Sequence, residues 1–225
     1  MTNFIPIFPL NAVVYPGESL NLHIFEPRYK QLISECYAAK KPFGVPTVIQ
    51  NKVQEYGSMV EITDLSKVYP NGEMDIKTKG VKIFRILELI EAIPDKLYSG
   101  AIVTYPDNYR QGVPELMRKV MTSIRELHQL LKVDKDFSTG PGSQSPVGGK
   151  KEDGELTSYE VAHHIGLSPE EEYELLQLLD ERQRQEYLKR HLTKVIPMLA
   201  GMEQLKEKIK LNGHFKNLGG VDLGK

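Results

Sequence analysis

Three groups of residues have types that could do chemistry: Gly148-Gly149-Lys150-Lys151, the adjacent pair His163-His164, and the single Cys36, with His23 the nearest imidazole before it. A phosphate-cradling loop needs G-x-x-x-x-G-K-[ST], so that backbone N–H groups surround the phosphate while the lysine and a hydroxyl complete the site. The Gly148 string has no hydroxyl after its lysine, no strand pattern before it and no helix pattern after it, and reads as a linker. Neighbouring residues on a helix point about 100° apart, so His163 and His164 cannot share an ion as an i, i+4 pair does. No third ligand stands at metal spacing, and the pair reads as one half-buried and one solvated ring. Cys36 falls on the apolar face of a predicted helix, where burial raises a thiol's pKa and makes it a small hydrophobe rather than a nucleophile. His23 sits on a predicted strand and gives it no base. The residues therefore nominate no catalytic side chain, no metal ligand and no cofactor.

The elements that would carry such groups divide the chain in two. Residues 1–110 are short β-prone runs separated by turn signals: Phe4–Phe8, Ala12–Tyr15, Ser19–Ile24, Phe43–Gln50, Gly57–Tyr69, Met74–Thr78, Val81–Glu91 and Tyr98–Tyr105. Pro16-Gly17 and Asn71-Gly72 mark turns, the second a hairpin. One short helix interrupts them, with Tyr29, Leu32, Ile33 and Cys36 on one face and Pro27 in its first turn. This predicts a small β-barrel or pseudo-barrel.

Residues 111–216 read as a helical lobe. Pro114 opens a helix whose face is Leu116, Val120, Ile124, Leu127 and Leu131, ending near Phe137. Residues 138–156 are poor in large apolar side chains and read as a mobile loop. Thr157-x-x-Glu160 and Ser168-x-x-Glu171 are capping boxes that open helices over 158–166 and 169–179. A long helix follows from Glu181, with Leu188, Leu192, Val195, Leu199, Met202, Leu205 and Ile209 as its seam. Pro197 is expected to kink it and Asn212-Gly213 to stop it. Residues 217–225 read as a flexible tail.

Composition narrows the function. The 225 residues are 40% hydrophobic and 26% charged with a formal net charge of −1, so no global field draws in nucleic acid or an anionic membrane. One cysteine forms no internal disulfide and fits a reducing compartment such as the cytoplasm. The opening residues lack a basic n-region and are cut by Pro6, Pro9 and Pro16, so they read as a strand region rather than a signal peptide. No apolar run nears the roughly 18 residues that span a bilayer.

The stretch Ile5 to Cys36, IPIFPLNAVVYPGESLNLHIFEPRYKQLISEC, resembles the opening of the substrate-recognition domain of Lon proteases. The matching residues are Pro6, Phe8, Pro9, Leu10, Pro16, Gly17, Leu22, Ile24, Phe25, Glu26, Arg28 and Tyr29. Weaker likeness follows at Gly57, Ile62, Gly72, Gly80 and Arg85, and again from Leu175 to Leu188. The resemblance implies an α+β fold, a PUA-like β pseudo-barrel with one short helix followed by an α-helical bundle. It also implies a non-catalytic protein-binding module for unfolded or specific partner proteins, without the ATPase and Ser-Lys protease modules of full-length Lon. Phe25, Glu26, Arg28 and Tyr29 are expected to be scaffold at the strand–helix junction, and contact residues stay unassigned. The expected binding surface is a groove between the lobes or an exposed apolar patch.

The second reading is nucleic-acid binding. Residues 181–216 carry nine Lys/Arg (Arg182, Arg184, Lys189, Arg190, Lys194, Lys206, Lys208, Lys210, Lys216) against four acids. Such a helix is more often a solvated face, and nucleic acid ranks behind protein as the partner. The residues name no particular partner and no oligomeric state.

Overall fold

Alternating apolar and polar residues bounded by turn residues build the first half into one sheet. The computed structural model describes residues 3–132 and 156–215, with 207–215 as backbone alone. Six strands form among the described residues: β1 (Asn3–Pro6), β2 (Ser19–Ile24), β3 (Phe43–Ile49), β4 (Lys52–Val68), β5 (Met74–Ile90) and β6 (Gly100–Thr104). They pair antiparallel in the order β1-β6-β5-β4-β3, with β2 also on β5. Beyond β1 the chain runs beside β3 through parallel bridges Ile7–Gly44 and Leu10–Thr47, which brings the two ends of the sheet together. The result is the mixed α/β fold with a closed antiparallel sheet that the sequence implied.

Helix α1 (Pro27–Ala39) buries Leu32, Ile33 and Cys36 against the sheet. Lys40, left-handed at φ 50°, ends it by donating to the carbonyls of Cys36 and Tyr37. The Asn71-Gly72 hairpin forms as expected, with Gly72 at φ +78°. Two expected strands, Met74–Thr78 and Val81–Glu91, are one continuous β5. Gly80 lies at its middle, and the turn after Tyr15 docks there: the Gly17 N–H donates to the Gly80 carbonyl and the Gly80 N–H to that of Glu18. A side chain at Gly80 would strike the Tyr15 carbonyl.

Residues Ala12–Tyr15 are not a strand. They keep a strand's alternation without its ladder: Val14 packs into the core of the sheet, while Val13 and Tyr15 point into the helical core. This segment is the wedge between the two halves.

The helices are α2 (Pro114–Leu131), α3 (Ser158–Val161) followed by a 3-10 turn at Ala162–His164, α4 (Pro169–Gln177) and α5 (Glu181–Phe215). Four boundaries differ from expectation. Helix α2 stops at Leu131, because Lys132 turns left-handed and donates back to Gln129 and His128. The expected 158–166 helix is a short turn of α-helix that ends at Val161 and passes into the 3-10 turn ending at His164, ahead of Gly166 at φ +72°. Helix α4 stops at Gln177 because the next residues are extended, and the Tyr109 N–H donates to the Leu179 carbonyl. Helix α5 continues through Pro197 and Asn212-Gly213 to Phe215. The 138–156 loop, apart from Leu156, and the 217–225 tail lie outside the described residues.

Both capping boxes open their helices as read. The Glu160 carboxylate accepts from the Thr157 N–H at 2.8 Å, and Glu171 from the Ser168 N–H at 2.8 Å. The helical core combines Val120, Ile124, Leu127, Leu175, Leu176, Leu188 and Leu192 with Val13, Tyr15 and Ile83 from the sheet side. Each such side chain contributes roughly 1.5–3 kcal/mol of apolar burial. Leu131, Met202 and Leu205, expected on the seams, are 48%, 55% and 58% exposed, because each lies past the packed turns of its helix, which reach Leu130 in α2 and Leu199 in α5.

Candidate functional site

The run Ile24-Phe25-Glu26-Pro27-Arg28-Tyr29 joins β2 to α1. Ile24 pairs with Met74 and is buried. Successive residues of extended chain face opposite ways, so Phe25 turns outward and is 58% exposed. This corrects the expectation that Phe25 packs at the junction. Glu26, Arg28 and Tyr29 form a chain of contacts that ends on Phe8. Arg28 donates to the Glu26 carboxylate from Nε at 2.9 Å and lies 2.8 Å from it at Nη2. The Arg28 guanidinium stands 4.5 Å over the Tyr29 ring, and Tyr29 packs on Phe8 with ring centroids 4.2 Å apart. Partial burial pushes the Tyr29 phenol pKa up.

Phe25 extends a small aromatic surface. The His23 ring stacks 6.2 Å from Phe25 and meets Tyr69 edge-on at 5.8 Å. His23 Nδ1 lies 2.7 Å from Asp75, and the Tyr69 hydroxyl donates to the same carboxylate at 2.8 Å. The bond to Asp75 raises the His23 pKa and lowers that of Asp75. Lys67 caps the Tyr69 ring at 4.3 Å. Lys30 of α1 donates to the Asn71 carbonyl at 3.0 Å and ties the helix to the hairpin turn. The arrangement is an apolar and aromatic patch with a charged rim, suited to receiving apolar side chains of another polypeptide.

Acid–base or nucleophilic work finds no free partner in these groups. His23 Nε2 faces Glu73 at 3.4 Å while Nδ1 holds Asp75, so neither nitrogen is open to a nucleophile. His163 is held the same way, with Nδ1 2.7 Å from Glu172 and Nε2 3.2 Å from Glu18. Burial disfavours its charged form, but the two carboxylates outweigh it and push its pKa up to about 10. His164, half-buried, is shifted down by burial and by the neighbouring imidazoles. Among the described residues no group of three or more His, Cys, Asp or Glu is placed to hold a metal. Cys36 is 6% exposed and burial pushes its thiol up to about 11. The Gly148–Lys151 string lies outside the described residues.

The expected groove between the halves is filled. Tyr15 stacks on Tyr159, and beneath Tyr159 lies a buried ion pair that the sequence reading missed. Arg184, 1% exposed, donates to Glu181 at 2.9 Å, to Asn108 at 2.9 Å and to the carbonyls of Leu178 and Tyr109 at 2.6 and 3.1 Å. Glu181 also accepts from the N–H and hydroxyl of Ser158. Each guanidinium nitrogen and each carboxylate oxygen of the pair has a partner, which is what makes a buried pair tolerable. The signal was present: positions 181, 184, 188 and 192 share one helical face, and the last two are core leucines. Arg184 therefore leaves the basic face on which the nucleic-acid reading rested. Lys208, Lys210 and Lys216 lie outside the described side chains.

Residues 5–194 match the model of the family described as the ATP-dependent protease La (LON) substrate-binding domain. The chain belongs to the LON substrate-binding domain family. It is 29% identical over 133 residues to the Lon protease of Parabacteroides distasonis, a stretch that is 55% of this chain and 16% of that protein. The chain thus spans only a small part of that relative. The LON fold also appears in two solved structures. A Lon N-terminal domain protein from Xanthomonas campestris superposes with a TM-score of 0.59 at 24% identity, covering 83% of this chain and 96% of that one. The N-terminal domain of the Mycobacterium avium complex Lon protease gives 0.58 at 12% identity, covering 85% and 98%. The family match falls on the substrate-binding domain, and no helix among the described residues is long and apolar enough to cross a membrane.

Proposed function

We propose that this chain is a non-catalytic module that binds unfolded polypeptide or specific partner proteins, linked to ATP-dependent proteolysis. The observation that carries it is the exposure of Phe25, a large aromatic ring presented to solvent within the family's own motif and continued by His23 and Tyr69. An apolar surface with a charged rim fits side chains of varied sequence better than one small molecule. The β-rich part, 1–110, and the helical part, 111–216, act as two lobes of one platform, wedged by Val13–Tyr15. The module works in a reducing compartment such as the cytoplasm, where the lone Cys36 stays a thiol.

Fluorescence anisotropy with a labelled, permanently unfolded polypeptide and a folded control tests this. The unfolded chain is expected to bind at least tenfold more tightly, and Phe25→Ala to remove most of that preference while leaving the melting temperature within a few degrees. Equal affinity for folded and unfolded probes overturns the recognition role. An unchanged preference in Phe25→Ala overturns the surface.

A further inference from the structure

A second surface lies on the helical lobe, away from Phe25. Between the Leu178–Asp180 connector and the first turns of α5 runs an open groove of about 580 Å³. It adjoins a smaller one of about 180 Å³, and the two share Tyr187 and Arg190 as a common wall. Leu178 and Tyr187 give it an apolar floor. Arg182, Arg190 and Lys194 line it and make no ion pair among the described residues.

The acids of the same grooves are committed to the protein itself. Asp180 accepts from the Gln183 N–H at 3.2 Å and so caps α5. Glu186 pairs with Lys189 at 3.7 Å, and Glu174 accepts from the Tyr187 hydroxyl at 2.9 Å. Glu171 caps α4 through Ser168 and faces His191 at 3.3 Å. The donors left over are the guanidinium groups, which bind carboxylates in bidentate geometry.

We infer that this groove takes an extended acidic peptide segment carrying two carboxylates with an apolar residue between them. Arg182 and Arg190 are eight residues apart, so their positions differ by roughly 12 Å along the helix. An extended chain rises about 3.3 Å per residue, which matches two acids three or four residues apart. The intervening side chain rests on Tyr187. The spacing also decides between partner classes. A nucleic-acid backbone carries a charge at every residue and would set phosphates against Asp180, Glu186, Glu174 and Glu171. Two separated carboxylates meet the arginines and miss the acids.

The test uses the full chain and a fluorescein-labelled peptide, Gly-Glu-Ser-Leu-Ser-Glu-Gly, with its double Glu→Gln version and a single-stranded oligonucleotide as the other probes. The acidic peptide is expected to bind at least tenfold more tightly than the Gln version, and to weaken as salt rises. Arg182→Ala with Arg190→Ala should remove that preference, Arg→Lys at both sites should restore part of it, and Phe25→Ala should leave it alone. All three residues changed have exposed side chains, and an unchanged melting temperature separates lost binding from lost folding. Equal binding of the two peptides overturns the inference, as does an oligonucleotide that binds more tightly than the acidic peptide through the same arginines. Because the unfolded-polypeptide assay depends on Phe25 and this one on Arg182 and Arg190, either can fail alone.

Discussion

The rings of Tyr15 and Tyr159 lie 4.9 Å apart with 18° between their planes, one from the wedge after the first strand and the other from the helical lobe. The stack extends both ways: the Arg184 guanidinium stands 4.3 Å over Tyr159, and the His163 ring lies 5.0 Å from Tyr15. The Tyr15 hydroxyl donates to the Glu172 carbonyl at 3.0 Å. Two cationic groups thus close a column of two aromatic faces across the junction of the lobes.

Cutting this column should uncouple the lobes. Tyr15→Ala is expected to cost about 3–5 kcal/mol, the range for emptying a large aromatic site. Tyr15→Phe keeps the stack, loses one hydrogen bond and should cost about 1 kcal/mol. A double-mutant cycle of Tyr15→Leu and Tyr159→Leu, followed by urea unfolding, should give about 0.5–1.5 kcal/mol of coupling. Strict additivity would mean that the two rings are neighbours without energetic consequence.

His163 makes the junction sensitive to alkaline pH. Its folded pKa, about 10, is raised above the unfolded value near 6.5, so folding holds its proton. The contribution is complete below about pH 6.5 and declines as pH rises, being lost above about 10. The groups facing the ring are Glu18, Glu172 and the Tyr15 ring, whose own phenol is held neutral by burial. The stability lost in His163→Gln should therefore be largest near pH 6 and shrink steadily toward pH 10.5. A gap that widens with rising pH would reverse the assigned charge state. The ring is partly exposed, so the effect should fall in high salt.

The Glu181–Arg184 pair gives a different signature. Removing one partner leaves a buried charge alone, so Arg184→Met or Glu181→Gln should each cost roughly 3–5 kcal/mol. The combined change should cost clearly less than the sum. Thermal unfolding of the three variants measures this, and simple addition would show that the pair is not one unit.

Much of this architecture was legible in the chain. Periodicity placed α1 and its buried Leu32, Ile33 and Cys36, capping boxes placed the starts of α3 and α4, and Asn71-Gly72 placed the hairpin. What escaped was set by contacts between distant segments. Ala12–Tyr15 alternates like a strand, but two lobes claim its two sides and leave it without a ladder. Arg184 reads as one more surface cation until Ser158, Asn108 and Tyr109 come around it. Phe25 looks like a junction residue by type, and only the buried, paired Ile24 before it turns it out to solvent. Helix stops at Leu131 and Gln177 depend on one left-handed residue and on a bridge to Tyr109, neither of which has a compositional mark.

Glycines offer the last contrast, because two of them should respond to the same substitution with opposite sign. At Gly80 a methyl group meets the Tyr15 carbonyl at the point where the Gly17 and Glu18 backbone bonds dock the turn on β5. The obstacle is backbone held by hydrogen bonds and cannot swing aside, so the wedge must shift. Gly80→Ala is expected to cost at least the 1–3 kcal/mol typical of overpacking. Gly201 lies within α5 with nothing near the added methyl. There, Ala removes unfolded-chain freedom and favours the helix by about 0.5–1 kcal/mol. Melting temperatures of the two variants should move in opposite directions. A harmless Gly80→Ala would mean that the turn after Tyr15 does not rest on β5, and the wedge between the lobes would lose its anchor.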